Sequence, residues 1–88
     1  GSKNTAVGHQ ALKLSTTASY NTGIGSQALR NNTTGANNVA TGYQSLYSNT
    51  VGWDNTASGY QALYSNTTGY QHTALGYQAM YNQVSNSD

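Results

Sequence analysis

Asp54 and His72, with Ser and Thr hydroxyls nearby, are an acid and an imidazole that could be paired for hydrolytic chemistry. Such chemistry needs a histidine held by its acid, a nucleophile presented on a sharp turn, and donors aimed at the developing oxyanion. No motif of that kind accompanies the pair. His9 and His72 are the only histidines, and Asp54 and Asp88 the only acids. That set lacks the ligand spacing of a zinc site and the acidic cluster that anchors calcium. Cysteine is absent, which removes thiolate ligands and disulfides. Both histidines read as solvated or packing side chains. The expectation is a non-enzyme with no catalytic residue, no metal and no cofactor.

The aromatic residues are better placed to act. Tyr43, Tyr60 and Tyr77 recur at one spacing, as do Tyr47, Tyr64 and Tyr81. Rows of tyrosine flanked by Asn and Gln could stack against sugar rings. The same rows could be aromatic ladders that cover a sheet, and repetition alone produces ladders. We favour ladders and keep carbohydrate binding as the alternative. Thr5, Thr22, Thr56 and Thr73 form one threonine file, and Thr16, Thr33, Thr50 and Thr67 another. A flat Thr array could order water and bind ice. The first file sits beside Ala and is single, so ordinary strand and turn roles are preferred. Lys13 and Arg30 occupy the tyrosine position of earlier copies and are read as solvated, on the outer face.

These spacings come from one 17-residue unit written five times without insertion: 4–20, 21–37, 38–54, 55–71 and 72–88. Residues 1–3 precede the register, Gly1 and Ser2 reading as a cloning remnant, and 4–88 form the repeat domain. The chain reads as a piece of a longer array. Comparing the copies defines columns. The fifth is Gly8, Gly25, Gly42, Gly59 and Gly76; the seventh is Gln10, Gln27, Gln44, Gln61 and Gln78; the ninth is Leu12, Leu29, Leu46, Leu63 and Met80. An invariant Gly signals positive φ or close backbone approach.

A unit this short cannot hold two helices, and its Gly, Asn and Thr content disfavours helix. A parallel β-solenoid with one coil per unit fits. Stacked at about 4.8 Å, like residues would form Gln and Asn amide ladders and a Leu spine. The expected strands are columns two to six, as in 56–60, and eight to eleven, as in 62–65. The Asn-Thr-Thr-Gly segments then make a wide turn whose Gly takes positive φ.

Composition narrows the function. A net charge of +1 gives no electrostatic case for nucleic acid or an anionic membrane surface. No apolar run approaches the roughly 18 residues of a membrane span. Only 6% of residues are charged, a composition shared with disordered tracts, but an apolar column held in register argues for folding. Twelve large aliphatic residues make a thin core, to be completed by tyrosines or by neighbouring chains.

The elements Asn4-Thr-Ala-Val-Gly8, Asn21-Thr-Gly-Ile-Gly25, Asn38-Val-Ala-Thr-Gly42, Asn55-Thr-Ala-Ser-Gly59 and His72-Thr-Ala-Leu-Gly76 resemble the Ser-Val-Ala-Ile-Gly element of trimeric autotransporter adhesin heads. Similar Gly-Tyr-Gln-Ala-Leu repeats occur in bacteriophage tail-fibre-like and bacterial surface proteins. The resemblance implies a left-handed parallel β-roll packed as a homotrimer. It also implies an extracellular site on a bacterial surface or phage virion, and a structural and adhesive role. A host-surface glycan or protein would be the external partner, met through Tyr43, Tyr47, Tyr60, Tyr64, Tyr77 and Tyr81. This unit is longer than the family's usual repeat, by roughly three residues, and its Val and Ile columns carry Thr and Ser in several copies.

Overall fold

A computed structural model describes residues 3–86. Five strands, β1 (Thr5–Val7), β2 (Thr22–Ile24), β3 (Val39–Thr41), β4 (Thr56–Ser58) and β5 (Thr73–Leu75), pair in parallel in sequence order. Each partner is the equivalent residue of the next copy: Thr5 opposite Thr22, Gly23 opposite Ala40, Ser58 opposite Leu75. The chain is therefore an all-β parallel β-solenoid of about four turns, with no helix among the described residues.

The strands are shorter than expected, covering columns two to four only. Column five ends them. Gly8, Gly25, Gly42 and Gly59 hold φ between 122 and 127°, a region closed to side chains, and a Cβ there would lie within 2.9 Å of the next coil's glycine backbone.

The expected second strand is absent, and turns replace it. In the first copy Ala11 N–H donates to Gly8 O at 3.2 Å and Lys13 N–H to Gln10 O at 3.3 Å, and every later copy repeats this pair of bonds, the last through Ala79 to Gly76 O at 3.2 Å and Tyr81 to Gln78 O at 3.1 Å. The third residue of each turn has positive φ, as in Gln44 (55°) and Leu46 (52°), the mark of type II geometry. A left-handed L-residue costs about 1–2 kcal/mol. Burying a Leu side chain returns about 1.5–3 kcal/mol, and the turn is what aims Leu46 inward. Each turn also bonds to its neighbour along the axis, as Leu29 N–H does to Ser45 O at 3.0 Å.

The wide-turn glycines were expected at positive φ, and Gly35, Gly52 and Gly69 are not there. Crowding is the reason for them. A Cβ on Gly35 would stand 2.7 Å from Asn32 Oδ1 and nearer still to Gly52 O.

The core completes itself within one chain. Leu29, Leu46 and Leu63 are fully buried with Ala28, Ala40, Ala57 and Ala62. The tyrosines contribute none of it. The remainder is polar: Asn21, Asn38 and Asn55 of column one and Asn32, Asn49 and Asn66 of column twelve are fully buried. Asn38 Nδ2 and Asn49 Nδ2 both donate to Gly52 O, at 2.8 and 3.1 Å. Asn38 Oδ1 accepts from the backbone N–H of Asn55 at 3.0 Å, while Asn49 Oδ1 accepts from Asn66 Nδ2 at 2.9 Å. Buried amides satisfied this fully can stand where a larger domain would place aliphatic side chains.

Candidate functional site

The strand triplets set the first surface. The middle residue points inward, so Ala40, Ala57 and Ala74 are buried while columns two and four face out. Thr5, Thr22, Thr56 and Thr73 thus have Val7, Ile24, Ser58 and Leu75 as outward neighbours, not the alanines. The face mixes hydroxyls with exposed Val7, Ile24, Val39 and Leu75. The other threonine file is spent internally: Thr33 Oγ1 donates to Thr50 O and Thr50 Oγ1 to Thr67 O, each at 3.3 Å.

The turn segment sets the second surface. It brings the tyrosines of each column together as stacks. Tyr43, Tyr60 and Tyr77 lie at centroid separations of 5.4 and 5.2 Å; Tyr47, Tyr64 and Tyr81 at 5.2 and 4.9 Å, within 5° of parallel. A ring inside such a stack offers its edge to solvent and its faces to its neighbours. A sugar ring needs a face. The Tyr64 hydroxyl titrates above its ordinary range, because burial and then the neighbouring Tyr81, Tyr47 and Tyr43 disfavour a phenolate.

Between the two tyrosine columns runs the glutamine ladder. Gln27 Nε2 donates to Gln10 Oε1 at 3.1 Å, Gln44 to Gln27 and Gln61 to Gln44 at 2.8 Å, and Gln78 to Gln61 at 2.9 Å. Arg30 is tied into it, its Nε donating to Gln10 Oε1 at 3.1 Å, whereas Lys13 is solvated.

Two features escaped the sequence reading. Trp53 and Tyr70 form a third stack at 4.6 Å. Their shared column was the available signal, but only two copies carry a ring there. The buried Asn32, Asn49 and Asn66 were hidden inside a turn-like Asn-Thr-Thr-Gly signature; their equal spacing was the signal.

Asp54 and His72 do not meet. Asp54 is exposed, and its backbone N–H bonds to Ala36 O at 3.0 Å. His72 donates its backbone N–H to Asn55 Oδ1 at 3.0 Å, and its Nε2 is buried without a partner. No group of three His, Cys, Asp or Glu that could hold a metal ion occurs among the described residues. No pocket opens among them either. No protein-family model matches the chain, and no curated protein or solved structure matches it.

Proposed function

We propose that this solenoid is a structural and adhesive segment of a trimeric bacterial surface adhesin or phage tail fibre. One observation carries the reading: successive copies pair residue for residue at a constant offset, as Val39 does with Thr56 and Thr56 with Thr73, so the molecule extends by addition of identical coils. A rod built this way presents repeated rows instead of one recess, and rows suit many weak contacts multiplied by avidity.

The trimer would form on the strand face. Val7, Ile24 and Leu75 of column four and Val39 of column two are exposed by 56%, 41%, 71% and 40%, apolar side chains set among Thr and Ser that an isolated rod leaves in water. Because the Leu spine is already sealed, a partner would cover this face and leave the interior unchanged. Light scattering tests the assembly: a mass of three chains is expected, and a stable folded monomer at high concentration would rule the trimer out.

The stacked tyrosines support a load-bearing ladder over a lectin site. A glycan array should stay silent. Binding that disappears in Tyr60→Ala and Tyr64→Ala variants of unchanged fold would instead establish the carbohydrate module.

A further inference from the structure

We propose that the uncovered face of Trp53, with the carboxylate of Asp54 beside it, captures an arginine side chain of a partner protein. Capture of this kind deepens the adhesive reading and rests on it. Light scattering judges assembly and a titration judges capture, so each can fail alone.

The aromatic columns do not run the length of the rod. All three begin at the third coil, with Tyr43, Tyr47 and Trp53. At the second coil the same columns hold Ser26, Arg30 and Ala36. This is an interior step, bonded across like the others: Leu29 N–H reaches Ser45 O and Asp54 N–H reaches Ala36 O, both at 3.0 Å. Trp53 stacks on Tyr70 of the fourth coil at 4.6 Å, within 5° of parallel. On its other side the column carries Ala36 and then Ser19, so small side chains stand across two coil heights, about 9–10 Å. No ring among the described residues covers that face, and Trp53 is 42% exposed.

A planar group suits the gap, because the chain spaces its own planar side chains at 4.6 to 5.4 Å along the axis. Charge selects which planar group. An indole face attracts a cation more strongly than the other aromatic rings do. Asp54, next in the chain, is exposed, and its carboxylate has no hydrogen bond or ion pair among the described residues. Asn37, beside Ala36 at the level of the gap, is exposed too and offers a neutral acceptor. Guanidinium is the side-chain cation that is both planar and forked toward a carboxylate.

The chain makes the same exchange of ring for cation itself. Arg30 takes the tyrosine's place in column ten, one coil from Tyr47, held by Gln10 Oε1 at 3.1 Å and Asn31 Oδ1 at 3.0 Å. At Tyr20 it sets a cation on a ring, with Lys3 Nζ 5.5 Å from the centroid. Column sixteen has no arginine of its own, and a partner's can fill it.

Trp53 is the one tryptophan, so its fluorescence and its indole N–H resonance report on this face directly. Titration with N-acetyl-arginine amide at fixed ionic strength should shift both saturably, with half-saturation on the order of 10 mM. The neutral planar isostere N-acetyl-citrulline amide should bind about fivefold more weakly, and N-acetyl-lysine amide about threefold more weakly. Asp54→Asn should weaken arginine binding about threefold and keep the fold, because Asn also accepts the left-handed φ of 57°. Ala36→Tyr should extend the stack over the face and abolish the shift with Trp53 still in place. Citrulline or lysine binding as tightly as arginine overturns the proposal, since an apolar ledge or a bare charge would then suffice. Arginine binding unchanged in either folded variant overturns it, because the cation would be held elsewhere. A Trp53 signal that arginine does not move also overturns it.

Discussion

The middle coils and the terminal coils are written in nearly the same residues, yet only the middle ones are chemically complete. Leu46 is fully buried while Met80, its equivalent in the last coil, is 38% exposed. Asn49 has partners on both sides, to Asn32 Oδ1 at 2.7 Å and from Asn66 Nδ2 at 2.9 Å. Toward the ends the polar columns fail: Ser15 Oγ and Asn66 Oδ1 of column twelve and His72 Nε2 of column one are buried without a partner. A coil is thus stabilised by its neighbours more than by its own sequence, as nearest-neighbour models of repeat proteins require. Amide protection should peak around β3 and decline toward both ends.

The largest effect should come from breaking the spine where it is sealed. Leu46→Ala is expected to cost about 3 kcal/mol in denaturant unfolding, and Met80→Ala less than about 1 kcal/mol. Equal costs would show that the ends are as well packed as the middle. Next comes the glycine column. Gly42→Ala adds a Cβ 2.8 Å from Gly59 O at a φ of 122°, and about 2–3 kcal/mol should be lost. Gly76→Ala meets the strain but no neighbour, so its cost should be smaller.

The asparagine columns sharpen the comparison in both directions. Asn49→Ala strips Asn32 Oδ1 of its donor inside the core and should cost about 2 kcal/mol. His72→Asn should do the reverse. The regular Asn at that column donates Nδ2 to a carbonyl in its own wide turn, as Asn55 does to Gly69 O at 2.8 Å, and the histidine leaves its Nε2 unpaired. A gain of about 1 kcal/mol, read as a raised Tm, is expected. A loss would mean that the imidazole fills space the amide cannot.

What the sequence made legible was whatever the stack repeats without change. The offset, the Gln ladder and the Leu spine all follow from identical residues in fixed columns. The second strand was misread because Ala62-Leu63-Tyr64-Ser65 has strand-like composition, while stacking holds Leu63 at a φ of 54°. No local preference announces a left-handed leucine; only the burial it gains explains it. The wide-turn glycines were visible, but their cause was not. Positive φ is a property of one residue, whereas the crowding at Gly52 comes from Asn49 and from the next coil. Column two was read as a single file because the inward turn of Ala40 and Ala57 depends on a core that the repeat does not display.

The smallest expected effect concerns the middle of the tyrosine stack and is read by pH. Burial, then Tyr81, Tyr47 and Tyr43, hold the Tyr64 hydroxyl above its ordinary pKa near 10. The folded state therefore resists the phenolate more than the unfolded chain does. The contribution is fully present below the unfolded pKa and is lost as pH rises through the raised folded value. Stability should slope downward from about pH 10 upward, and Tyr64→Phe should flatten part of that slope while keeping the ring stack with Tyr47 and Tyr81. A slope that Tyr64→Phe leaves unchanged would show that the stack imposes nothing on its central hydroxyl, and the contrast between middle and end would then rest on the core columns alone.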